Sequence, residues 1–137
     1  MNTILDTLQV GLPVLLSQLG VTLALLGLGG ACYMAVTPFR EIRLIHAGNT
    51  AAGIVLAGTL VALAIPLATT LATSLFTLDI LLWGLVALVI QLLAFVIAAS
   101  LIRGLRGMIE AGNTAAAWLL IGIQLSVALL NAGAMAG

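Results

Sequence analysis

Charge is what this chain has least of. Among 137 residues there is no lysine, and four arginines balance four carboxylates to a net charge of zero. Soluble domains carry roughly a quarter charged residues; here the share is 6%. No basic patch can be assembled for nucleic acid, so that class of partner is excluded. Metal chemistry is as poorly provided for. His46 is the single histidine, with no cysteine or carboxylate at ligand spacing from it. Cys32 is the only cysteine, which excludes an intrachain disulfide and reads as a small buried hydrophobe. Ser17, Ser74, Ser100 and Ser126 have no base nearby in sequence to activate them. The expectation is a protein that is not an enzyme, with no metal and no cofactor.

What is present is hydrocarbon. Hydrophobic residues make up 64% of the chain, and its mean hydropathy is +1.36. A small soluble fold leaves too much surface exposed to hide that much apolar area, so the solvent must be lipid. A helix needs about 20 apolar residues to cross a bilayer, and four runs are long enough: Val10 to Val36, Thr50 to about Ala72, Leu78 to Ile102, and Thr114 to Met135. Only Asp79, at the lip of the third, brings a charge into any of them. Backbone groups in lipid must be satisfied within the segment, so the runs are helices. The first nine residues hold no arginine and do hold Asp6, so the first run reads as a retained helix rather than a signal peptide.

All four arginines, Arg40, Arg43, Arg103 and Arg106, fall between runs one and two or between runs three and four. The positive-inside bias then puts both arginine loops in the cytoplasm and both termini outside. Trp83 and Trp118 stand near the span ends, where an aromatic belt lies. Thr37-Pro38 reads as an N-cap with proline at the first helical position. It would open a short interfacial helix to Ala47, with Phe39, Ile42, Leu44 and Ile45 in lipid and Arg40, Glu41 and Arg43 among headgroups. The alternative is that the first helix runs on through a kink. Glu110, four residues after Arg106, reads as its salt-bridge partner.

Gly48-Asn49-Thr50-Ala51-Ala52 returns 64 residues later as Gly112-Asn113-Thr114-Ala115-Ala116. Over Ile45–Ala68 and Ile109–Ala132, eleven of 24 positions agree. Two spans separate the copies, so both lie on one side of the membrane. The fold class is therefore an all-α membrane protein: a single domain over 1–137, with four transmembrane helices as two tandem, parallel helical-hairpin repeats, about 10–72 and 78–135. Asn49 and Asn113 are N-caps, followed by Thr50 and Thr114. With the arginines nearby, each helix start is a candidate for a lipid headgroup phosphate. Small residues at four-residue spacing mark helix-packing seams: Gly27 with Ala31, Gly53 with Ala57, Gly58 with Ala62, Gly122 with Ser126. Pro66 should kink the second span. Gln18, Gln91, Gln124 and Asn131 are amides inside apolar runs. They either pair between helices or line a polar route.

Several runs carry a resemblance: Thr37-Pro38 with Glu41 and Leu44-Ile45, both Asn-Thr-Ala-Ala copies, Gly58-Thr59-Leu60, Ile65-Pro66-Leu67, Trp83-Gly84, Ala87 to Leu93, and Leu130-Asn131-Ala132. Together they resemble the YjfL-like family, DUF350, of small bacterial inner-membrane proteins. The resemblance implies four helices in the cytoplasmic membrane and transfers no functional residue. At the C-terminus it leads one to expect Asn-Ala-Ala-Cys-Met, whereas this chain has Asn131-Ala132-Gly133-Ala134-Met135, so no thiol role carries over. The function expected is a homo-oligomer, most simply a dimer, that serves as a structural or interaction component among membrane lipids. The alternative is an oligomeric channel or transporter for a solute or lipid.

Overall fold

A computed structural model describes residues 2–137. All its regular elements are helices: α1 (Asn2–Val36), α2 (Glu41–His46), α3 (Thr50–Thr73), α4 (Thr77–Leu101), α5 (Leu105–Glu110) and α6 (Thr114–Ala136). The four long helices are each apolar and long enough to cross a membrane. Their bounds fall within one or two residues of the expected runs, except that α1 begins at Asn2 rather than near Val10. Its 35 residues extend for about 52 Å at 1.5 Å per residue, against about 36 Å for its neighbours.

The chain does break after Val36, but the short helix is shorter than Pro38 to Ala47. Thr37 does not cap it. The Thr37 hydroxyl donates back to the Tyr33 carbonyl at 2.5 Å and so closes α1, while Arg40 stands at the start of α2. Phe39 does not face lipid and Glu41 does not face headgroups; they are 3% and 2% exposed. The reason is packing. Phe39 fills an apolar cluster with Tyr33, Phe95, Leu105 and Ile109, which turns the first residue of α2 inward. A second six-residue helix, α5, occupies the other arginine connection, at an offset of 64 from α2.

Contacts fix the helix directions. Gly58 packs on Ile121 and Gln124 bonds Thr59, so α3 and α6 run side by side in the same sense. Leu25 lies on Gly84 and Leu88 on Gly29, so α1 and α4 also share a sense. Two apolar clusters fill the bundle: the one around Tyr33, Phe95 and Ile109 at the loop end, and another of Leu25, Leu63, Leu67, Ile80 and Leu88. In sequence, the buried Thr59 and Gln91 fall between the two, and the buried Gln124 follows the first on α6.

The close approaches within the chain run through Gly29, Gly58 and Gly84. They do not run through Gly27, Gly53 or Gly122, where an added Cβ would meet nothing within 4 Å; Ala31 and Ser126 are exposed. A Cβ on Gly58 would lie 2.5–2.9 Å from three carbons of Ile121, among them the branched Cβ, which cannot swing aside. Gly58→Ala should therefore destabilise the fold by about 1–3 kcal/mol. Gly122→Ala should be neutral within about 0.5 kcal/mol. Thermal or denaturant unfolding in the same micelle checks the pair.

Candidate functional site

The repeated motif is a helix stop fused to a helix start. Gly48 and Gly112 adopt φ of +86° and +81°, the left-handed conformation that glycine enters without a Cβ penalty. Around Gly48 the amides of Gly48 and Asn49 donate to the carbonyls of Ile45 and Leu44, each at 2.9 Å. Around Gly112 the amides of Gly112 and Asn113 donate to Ile109 and Met108 at 3.0 and 2.8 Å. These paired bonds close the last turns of α2 and α5 in the Schellman manner. The next residue then opens the following helix. Asn49 Oδ1 accepts from the Ala52 amide at 3.0 Å, and Asn113 Oδ1 from the Ala116 amide at 3.2 Å. Thr50 and Thr114 are the exposed first residues of α3 and α6.

The two asparagines are not equivalent. Asn49 also reaches across the bundle, its Nδ2 donating to the carbonyls of Ile109 at 2.7 Å and Glu110 at 3.3 Å. One side chain thus caps the start of α3 and the end of α5. Asn113 is exposed and makes only its local cap.

This convergence brings arginines from both connections to one cleft of about 990 Å³. Arg40, Arg43 and Arg106 line it; Arg103 does not. Arg106 Nε donates to Glu110 Oε1 at 3.0 Å, the one ion pair among the described residues. Glu41 is in the wall with its Oε1 buried and unpartnered. The Tyr33 hydroxyl is likewise buried without a partner; Thr59, Glu41 and Thr37 are its polar neighbours. Sequence reasoning missed the inward turn of Glu41. A signal existed, since 64 residues on its counterpart is Leu105, a core residue.

Deeper in the bundle, two of the four apolar-run amides meet. Gln91 Nε2 donates to the Gln124 carbonyl at 3.0 Å, and Gln124 Nε2 to Thr59 Oγ1 at 3.1 Å. Three helices are tied through this layer, with Gln91 Oε1 left unpartnered. Thr59 was missed as its third member; it follows Gly58, the residue that brings α3 against α6. Gln18 is not part of the layer. It is half-buried on α1, and its carbonyl accepts from Thr22 at 2.7 Å. Asn131 stands apart too, in a cleft of about 570 Å³ at the other end with Thr70, Asp79 and Trp83. No group of three or more His, Cys, Asp or Glu that could hold a metal occurs among the described residues. Cys32 is a free, half-buried thiol.

Four apolar helices, outward-facing leucines and a single deep polar layer define an integral membrane protein. Comparison with known proteins gives its family: the chain matches the family described as Domain of Unknown Function, DUF350, over residues 7–135, and it belongs to that family. It is 36% identical over 103 residues to the inner membrane protein YjfL of Escherichia coli K12, a match covering 75% of this chain and 78% of the relative. The YjfL protein of Escherichia coli O157:H7 matches to the same extent. No solved structure matches.

The asymmetry of the caps has a measurable consequence. Removing an N-cap costs about 1 kcal/mol, and each further hydrogen bond about 1 kcal/mol. Asn113→Ala should destabilise by about 1 kcal/mol, and Asn49→Ala by at least about 2 kcal/mol. Parallel unfolding of the two variants checks the ranking.

Proposed function

We infer that this protein is a homo-oligomeric structural or interaction component of the bacterial inner membrane, most simply a dimer, without catalytic activity. The arginine loops face the cytoplasm and both termini the outside, as the charge bias requires. The helix–short helix–helix unit that occurs twice, and the shared sense of α1 with α4 and of α3 with α6, support descent from two tandem parallel hairpins.

The observation that carries the oligomer is the first half of α1. Every residue from Asn2 to Ser17 is exposed, and the first buried residue is Thr22. This stretch, about 24 Å long, stands clear of the bundle. It carries Leu5, Leu8, Leu12 and Leu15, and Leu19 follows just beyond it, each of the five between 39% and 57% exposed. Their 3-4-3-4 spacing is a heptad seam with leucine at both core positions. Asp6, Thr7, Gln9, Ser17 and Gln18 lie off it. Two copies inserted in one membrane share an orientation, so α1 meets α1 in parallel and the seam registers on itself. Leucines beyond the hydrocarbon need such a cover.

A second reading, an oligomeric channel or transporter for a small solute or lipid, draws on four buried polar atoms without partners: Tyr33 Oη, Glu41 Oε1, Gln91 Oε1 and Asn131 Nδ2. Such groups are costly to leave unpaired, and a passing solute would satisfy them.

Disulfide trapping tests the pairing. In a Cys32→Ser background, Leu8→Cys and Leu12→Cys should each give a covalent dimer on mild oxidation in membranes, because seam positions come within disulfide reach. Val10→Cys, on the far side of the helix, should not. Equal trapping at all three positions, or none, would rule the seam out.

A further inference from the structure

The arginine cleft does not end at the membrane surface. Met34 and Ile42 line both it and a second hollow, of about 410 Å³, between α1 and α3. That hollow is a groove over Gly27, Gly30, Ala31 and Leu60, and its walls are almost wholly apolar. It owes its depth to missing side chains: a Cβ on Gly27 would meet nothing within 4 Å. A polar cleft bearing guanidinium groups thus continues into an apolar groove.

We propose that cleft and groove together bind one anionic phospholipid, its phosphate among Arg40, Arg43 and Arg106 and an acyl chain along Gly27 and Ala31. Charge selects the head. Arg106 is held by Glu110, whereas Arg40 and Arg43 are exposed and make no ion pair among the described residues. Both lie just beyond the end of α1, the level at which arginines meet headgroups. Glu41 and Glu110 also line the cleft, so three guanidinium groups there face two carboxylates and the lining keeps a positive excess. Packing selects the tail. An empty groove in hydrocarbon forfeits the dispersion contacts of its lining, and a flexible chain restores them where no side chain of this protein does. The site lies at the opposite end of α1 from the leucine seam and does not depend on that pairing.

Native mass spectrometry of the protein in maltoside micelles tests this. The probes are dioleoyl phosphatidylglycerol, dioleoyl phosphatidylcholine and inorganic phosphate, the last added as competitor. One phosphatidylglycerol should be retained per chain, in preference to phosphatidylcholine, and inorganic phosphate should not displace it. Arg40→Gln and Arg43→Gln should each lower retention about fivefold, since a cation near the headgroup layer contributes about that factor. Ala31→Phe should lower it as much by filling the groove, and Arg103→Gln should leave it unchanged. All four positions are exposed, so none of the substitutions replaces a core side chain. Equal loss in Arg103→Gln, or equal retention of phosphatidylcholine, would reduce the effect to general lipid adhesion and overturn the site. Displacement by inorganic phosphate with full retention in Ala31→Phe would make it a bare phosphate cleft. Loss of a dimer in Ala31→Phe, without lipid, would assign the groove to a second copy of the chain.

Discussion

In hydrocarbon a polar group has no water to fall back on, and the whole structure follows from how few such groups there are and where each finds its partner. Backbone amides are satisfied within the four long helices. Among the side chains, two arrangements join helices that would otherwise be held only by van der Waals contact. Near the membrane surface Asn49 caps α3 while holding the end of α5. Deeper, Gln124 ties α6 to Thr59 of α3 and accepts from Gln91 of α4. Both arrangements involve α3, and Gly58 lets that helix approach α6 closely enough for the deeper one to form. Lipid supplies no hydrophobic force between helices, so small residues and amides must do the joining.

The two halves of the chain share a stop-and-start motif but differ in how they use it. Asn49 bridges and Asn113 only caps. Glu41 stands where Leu105 stands in the second half, and carries an unpartnered oxygen into a packed core. Arg40 and Arg43 are unpaired among the described residues, whereas Arg106 is tied to Glu110. Polar chemistry therefore gathers on the first connection, beside the end of α1. The same helix carries the leucine seam at its other end and the glycine-lined groove between.

Much of the fold was legible in the residues because the bilayer imposes a length. Four apolar runs of about 20 residues, separated by arginines or by a short turn, permit few other readings. The caps were legible for a local reason: glycine at a left-handed position followed by asparagine has a definite hydrogen-bond use. What escaped the sequence was direction. Nothing in the local pattern turns Glu41 inward; Phe39 does so by packing with Tyr33 and with Phe95 and Ile109, far away in the chain. Nor does four-residue spacing say which small residues face a partner helix. Gly58 does, while a Cβ on Gly53, earlier on the same helix, would meet nothing within 4 Å. Gln18 and Gln91 look alike in the sequence, yet only Gln91 joins the buried layer, because α1 is covered only from Thr22 onward.

Everything rests on four crossings that bring both arginine connections to one face. Single cysteines in a Cys32→Ser background, probed with a membrane-impermeant maleimide on sealed vesicles of each orientation, test this directly. Cysteines at Ala47 and Ala111 should label together from one side, and one at Leu75 only from the other. Labelling of Ala47 and Ala111 from opposite sides would contradict the account.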